Sequence, residues 1–274
     1  MGQRSMDKAV ILARGLGTRM RKQDDKAAVT ATQAELAQLG LKAMIPIDRP
    51  FLDYVLHDLA EAGYRRVCLV IGPEHKVVRE YYGQKVRPQR LRIEFAVQDK
   101  PLGTADAVAA AEAFARQDDI LVINSDNYYP AEALAALCRA GECSLAAFER
   151  QSMIAGSNIP PERITRFAVV QTDKDGYLTR ILEKPDENVL ARLPEPICLS
   201  MNCWRFSPAI FTACRSISLS PRGELELPDA VQYAIDKLSQ RFKALTFKLP
   251  VLDLTTRCDI ARVTEILKGK TINL

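Results

Sequence analysis

The residues best suited to chemistry lie early in the chain, in Gly15-Leu16-Gly17-Thr18-Arg19. They follow a short, branched apolar run, residues 9–13, which reads as a buried strand. Glycines placed directly after a buried strand let the backbone approach a phosphate, and free N–H groups there can cradle it. Arg19 adds positive charge to the same turn. Further on, Asn124-Ser125-Asp126-Asn127 breaks a second buried run, residues 120–123. That leaves the carboxylate of Asp126 at a strand end, the edge of an open parallel sheet where ligands bind. A lone Gly-x-Gly turn is also compatible with a tight strand-to-helix connection that holds nothing.

Two familiar phosphate motifs are excluded. A P-loop needs Gly-x-x-x-x-Gly-Lys-Ser/Thr, which the chain lacks. A dinucleotide fingerprint needs a third glycine, where Met20 stands, and an acidic residue closing the second strand, where Ile71 is followed by Gly72-Pro73. Zinc chemistry is disfavoured, because only His57 and His75 are available and neither has a histidine or cysteine four positions on.

A third reading fits. Leu12-Ala13-Arg14-Gly15-Leu16-Gly17-Thr18-Arg19-Met20 resembles the signature of the sugar-phosphate nucleotidylyltransferases. Further segments are similar to that family in the family's own order: Lys42-Ala43-Met44-Ile45-Pro46-Ile47 with Arg49-Pro50, Gln98 to Ala105, Asn124 to Asn127, Glu183-Lys184-Pro185, and Gly223 to Asp229. Leu252-Asp253-Leu254-Thr255 is a degraded match to the family's Asp-x-Gly-Thr. Any one segment is weak evidence; the ordered set spans most of the chain.

The resemblance implies transfer of a nucleoside monophosphate from a nucleoside triphosphate to a sugar 1-phosphate, with Mg²⁺ as cofactor. UTP or dTTP and glucose 1-phosphate are the expected substrates. Such transfers need in-line positioning and neutralised phosphate charge more than covalent help. By resemblance, Leu12, Ala13, Gly15, Gly17, Thr18, Arg19, Gln98, Pro101, Gly103 and Thr104 would bind the nucleotide. Arg19 would hold the β- and γ-phosphates, Lys42 the α-phosphate or the leaving group, and Gln98 would read the base while Gly103 leaves room for its ring. Asp126 and Asp229 would hold Mg²⁺. Lys184 would grip the sugar phosphate and Glu183 the sugar hydroxyls, with Asn127, Ala168 and Asn202 lining the sugar side.

Departures from the family pattern are informative. Arg14 stands where many members have glycine, so its side chain must point away from the phosphates or add a contact. Arg49 replaces a lysine, keeping charge but not geometry. About twenty residues separate Arg19 from Lys42, which suggests a longer lid. Ala168 replaces a common glycine, and Thr256-Arg257 breaks the C-terminal motif.

Positioning these residues requires alternating strands and helices. Strands are expected at 67–71, 91–97, 144–148, 167–171, 177–182, 197–206, 242–247 and 251–254, besides the two above. Helices are expected at 34–39, 51–60, 104–115, 131–139, 208–214, 227–238 and 256–267. Such alternation implies an α/β fold, a Rossmann-like three-layer sandwich with a mostly parallel mixed central sheet and a small sugar-side subdomain. We expect one domain over 1–274: a nucleotide-binding half at about 1–150, a sugar-binding half at about 151–255 and a closing helix at 256–274.

Composition agrees with a globular enzyme. Of 274 residues, 47% are hydrophobic and 26% charged, with a net charge of +4 and no basic stripe, so nucleic acid is not an expected partner. Seven cysteines without a Cys-x-x-Cys pair read as buried, reduced thiols. The first five residues precede no signal-like apolar region, and no run is long enough to span a membrane. A cytoplasmic location is expected; a homo-oligomer is left open. Two rival functions stay in view: a nucleotide-binding regulatory module without turnover, and a nucleotidyltransferase for another phosphorylated acceptor such as phosphocholine.

Overall fold

A computed structural model describes residues 6–24 and 27–274. Residues 1–5, read above for a targeting segment, and residues 25 and 26 of the polar stretch after Arg19 lie outside the described residues. Among the described residues eleven strands follow one another: β1 Lys8–Leu12, β2 Arg66–Ile71, β3 Arg92–Val97, β4 Ile120–Asn124, β5 Asn127–Tyr128, β6 Ser144–Glu149, β7 Val169–Thr172, β8 Leu178–Leu182, β9 Cys198–Phe206, β10 Lys243–Phe247 and β11 Leu252–Asp253.

Nine of them form one twisted mixed sheet, with the order β10-β6-β9-β4-β1-β2-β3 and the β7–β8 hairpin attached to β9. Strands β4, β1, β2 and β3 are mutually parallel. Strand β9 runs antiparallel to both of its neighbours, β4 and β6. The later strands therefore extend the same sheet. The remaining two, β5 and β11, make a short antiparallel ribbon of their own.

The central strands read as unbroken apolar runs because both faces of the sheet are covered. In β1, Ala9 and Ile11 point into one core while Val10 and Leu12 point into the other. The first core is closed by the helices Phe51–Glu61, Ala131–Arg139 and Arg257–Leu267. The second is closed by Thr104–Ala110, Ala209–Ser216 and Leu227–Leu238, around a cluster of Trp204, Phe206 and Phe242. The three-layer expectation is met.

Element boundaries differ in instructive places. The helix expected at 34–39 begins earlier, at Ala31, because Thr30 and Gln33 form a reciprocal capping box. Gly40, at φ 75°, ends it. The helix expected at 104–115 is interrupted at Ala111, giving Thr104–Ala110 and Glu112–Ala115. A helix at Arg150–Gly156 and a one-turn helix at Pro161–Ile164 were not expected. Cys68, Cys138, Cys203 and Cys214 are buried as expected, whereas Cys258 is exposed. No helix among the described residues is long and apolar enough to cross a membrane.

Candidate active site

Strand β1 has β4 on one side and β2 on the other, both parallel to it. The chain order reverses direction between β1 and β4, which opens a crevice at the carboxyl ends of those strands. A cleft of about 370 Å³ lies there. Its floor is the end of β1 and the glycine turn. Backbone bonds fix that floor: the Ala13 N–H donates to Val70 at 2.9 Å, and the Ser125 N–H donates to Leu12 at 3.2 Å.

Ten of the residues expected to bind nucleotide or to act on it line this cleft: Leu12, Ala13, Gly15, Thr18, Lys42, Gln98, Pro101, Gly103, Thr104 and Asp126. Lys42 Nζ lies 2.7 Å from Asp126 Oδ2, joining the turn after the inserted helix to the end of β4. Arg19 is exposed in the short helix Thr18–Arg21, directly after Thr18.

Gly17 does not line the cleft. It packs face to face with Gly40, at the end of the inserted helix; a Cβ on Gly17 would fall 2.6 Å from the Gly40 Cα. Its need for glycine is thus steric and conformational, with φ 62°. Gly103 has a similar explanation. Its Cβ would sit 2.4 Å from the Leu225 carbonyl oxygen, so the space reserved by this glycine is filled by chain, not by a base ring. The segment around Leu225 straps the Gln98–Thr104 loop down: Leu225 N–H donates to Leu102 at 2.7 Å, Ala105 N–H donates to Leu225 at 2.9 Å, and Leu227 N–H donates to the Thr104 hydroxyl at 2.9 Å.

The expected pairing of Asp126 with Asp229 is corrected. Asp229 opens the helix Leu227–Leu238 and lines a separate groove with Ser216, Gln232 and Asp236. Its carboxyl is raised by partial burial and by Glu226, and lowered by Arg222. The carboxylate that feels the charge of Asp126 is that of Asp253. Strand β11 places Asp253 opposite Asn127, and the Leu254 N–H donates to the Asp126 carbonyl at 2.8 Å. Asp253 is buried, and burial followed by the charge of Asp126 pushes its carboxyl above the ordinary aspartate range. Arg163 offsets part of that push, with Nη2 2.8 Å from Asp253 Oδ2, while the Thr255 hydroxyl donates to Oδ1 at 2.6 Å. Arg163 also reaches Asp259, whose carboxylate caps the closing helix. The degraded Asp-x-Gly-Thr match was the signal for Asp253; the broken Gly-Thr half concealed it.

Arg14 lines the cleft and is held there by partners other than Asp126. Its Nε donates to the Gln98 carbonyl at 3.1 Å and its Nη1 lies 3.0 Å from Glu74, at the far wall of the cleft. Buried His75 stands beside this pair, and burial lowers its imidazole pKa. Sequence reasoning also missed Leu16, Met44, Asn124 and Glu224 as lining residues.

The residues expected on the sugar side lie outside the cleft lining. Glu183 and Lys184 follow β8, with Lys184 at φ 44°. Desolvation raises the Glu183 carboxyl first, then the nearby charge of Glu226. Asn202, at φ 53°, lies within β9 at the irregularity where its register with β6 shifts. Left-handed backbone at two non-glycine residues is the kind of strain that clusters at binding sites. Ala168 pins β9 by accepting from the Ser200 N–H at 2.9 Å. Asn127 is buried and accepts from Asn124 Nδ2 at 3.1 Å, so its side chain braces the end of β4.

Comparison with known proteins agrees with this geometry. The chain matches the Nucleotidyl transferase family over residues 8–248. It is 29% identical over 238 residues to a low-salt glycan biosynthesis nucleotidyltransferase of Haloferax volcanii, covering 84% of this chain and 59% of that protein. It is 32% identical over 231 residues to a glucose-1-phosphate thymidylyltransferase of Streptomyces antibioticus, covering 84% of this chain and 57% of the other. The chain thus spans less than two thirds of the length of these relatives. The crystal structure of a UDP-glucose pyrophosphorylase complexed with UDP-glucose shares the fold, with a TM-score of 0.72 at 17% identity over 97% of this chain and 100% of that one. A glycine turn and a lysine–aspartate pair at the β1–β4 crevice, with a match covering most of the chain, place this protein in the nucleotidyl transferase family.

Proposed function

We propose that the protein transfers a nucleoside monophosphate from UTP or dTTP to a sugar 1-phosphate, glucose 1-phosphate being favoured, and releases pyrophosphate. The observation that carries this reading is the contact of Lys42 with Asp126, beside Asp253, at the mouth of the glycine turn. The part of the chain up to about residue 150 would serve the nucleotide, and about 151–255 the sugar.

A phosphate oxygen of the acceptor attacks the α-phosphorus, and the bond from that phosphorus to the β-phosphate bridging oxygen breaks. The glycine turn offers backbone N–H groups to the phosphates. Lys42 carries positive charge to the transferred phosphoryl group, and Arg19 receives the departing pyrophosphate. Lys184 and Glu183 take the phosphate and hydroxyls of the sugar, with Asn202, Ala168 and Asn127 shaping that side. Asp126, which lines the cleft, and Asp253, which feels its charge, carry hard oxygen donors of the kind that fit Mg²⁺. Bound there with the triphosphate, the ion would supply charge neutralisation on phosphate oxygens. Support for a pyrimidine comes from the thymidylyltransferase relative. Thymine and uracil present the same hydrogen-bonding edge and differ by a methyl group.

A pyrophosphate-release assay over five triphosphates, each with glucose 1-phosphate, other sugar phosphates and phosphocholine, tests this directly. Release with UTP or dTTP and a sugar 1-phosphate, abolished by chelation of divalent metal, is the expected result. Binding without release in every pairing would overturn it, and release only with phosphocholine would reassign the acceptor.

A further inference from the structure

Gln98 directly follows β3 at the cleft wall and is 4% exposed. Its amide is not free to turn. Nε2 donates to the Gly103 carbonyl at 3.0 Å and to Asp106 Oδ2 at 2.7 Å. A carbonyl and a carboxylate accept hydrogen bonds and donate none, so both N–H bonds of the amide are committed. Turning the amide over would set Oε1 against two oxygens in a buried position, a costly arrangement. Of the two acceptors, Gly103 also takes the Ala107 N–H at 3.2 Å, so Asp106 provides the shorter bond, one assisted by charge. Gln98 therefore presents Oε1, an acceptor, as its remaining polar atom.

We infer that Asp106 is a specificity-determining positioning residue: by holding the Gln98 amide in one orientation, it makes the site select a pyrimidine whose ring N3 carries a hydrogen. Uracil and thymine donate from N3. Cytosine, of the same size and pose, presents a lone pair there and would face Oε1 acceptor to acceptor. Sites built around a buried hydrogen bond reject analogues that leave it unmade. The inference rests on the pyrimidine reading above and deepens it, since it locates base choice in a side chain that need not touch the base.

The test compares wild type, Asp106→Ala and Asp106→Asn by kcat/KM for UTP, dTTP, CTP, ATP and GTP with glucose 1-phosphate and Mg²⁺, after thermal melting shows each variant folded. Wild type should prefer UTP or dTTP to CTP. Asp106→Ala should lower the UTP-to-CTP ratio by roughly tenfold or more, because the released amide can turn its N–H bonds outward. Asp106→Asn, whose carbonyl can still accept from Nε2, should retain most of the ratio. Equal losses for UTP and CTP in Asp106→Ala would make Asp106 merely structural and overturn the inference. If that variant does not fold, 3-methyluridine triphosphate on wild type decides: rejection supports an acceptor at Oε1, and turnover at the UTP rate overturns it. A wild-type preference for a purine triphosphate fails the pyrimidine reading itself, and is seen in the wild-type data alone.

Discussion

Asp126 and Asp253 share one negative region that Lys42 and Arg163 flank with positive charge. At this scale the two aspartates make separable predictions from Asp229. Asp126→Ala and Asp253→Asn should each reduce pyrophosphate release by roughly 10²–10³-fold, the usual cost of losing a charge-stabilising group at a transferred phosphoryl. Asp229→Asn should stay near wild type, because Asp229 faces a different groove. A crippled Asp229→Asn with an active Asp253→Asn would restore the pairing read from sequence. Circular dichroism belongs beside both assays, since Asp253 also holds Arg163, which in turn holds Asp259 at the start of the closing helix.

Two elements decide whether the cleft is properly walled. The Gln98–Thr104 loop is clamped by the strap at Leu225, and Gly103, at φ 118°, is the point of closest approach. Gly103→Ala should cost about 1–3 kcal/mol in denaturant unfolding through overpacking and the unfavourable φ. It should also weaken nucleotide affinity, because the strap and the loop must part. Unchanged stability in that variant would mean that the two segments are not pressed together. The inserted helix Ala31–Leu39 depends on its capping box, and Gln33 also donates to the Pro46 carbonyl at 2.8 Å. Thr30→Ala should cost about 1 kcal/mol. The loss should show as faster amide exchange at Gln33 and Ala34, with little change elsewhere.

For the molecule as a whole, β9 is the seam: it runs antiparallel between β4 and β6 and joins the four parallel strands β4, β1, β2 and β3 to the rest of the sheet. Arg205, on that strand, is 4% exposed; it pairs with Asp119 at 2.9 Å and donates to the carbonyls of Leu137 and Cys138 at the end of the helix Ala131–Arg139. Arg205→Leu strands those carbonyls. We expect a loss of about 2–3 kcal/mol, less than for a fully buried pair because Asp119 is about one-third exposed. That corresponds to roughly 5–10 °C in melting temperature for a domain of this size. A melting temperature unchanged by Arg205→Leu would show that this seam does not limit stability.

Local patterns sufficed where the physics is local. Branched apolar runs such as 67–71 and 120–123 fix strands, because a two-sided buried sheet leaves no polar face to alternate. The glycine turn after β1 and the aspartate after β4 were legible for the same reason, since each depends on a few adjacent residues. Tertiary structure decided which distant groups meet. Asp229 and Asp253 are both acids near an element boundary, and only the pairing of β11 with β5 selects Asp253 as the neighbour of Asp126. Likewise, nothing in Gln98-Asp99-Lys100-Pro101-Leu102-Gly103 announces that Leu225 will occupy the space beside Gly103. The partners that hold Arg14 at the cleft, Glu74 and the Gln98 carbonyl, are likewise contributed by the ends of other strands. Contacts between segments far apart in the chain are set by the packing of the whole sheet, and no short stretch of sequence encodes them.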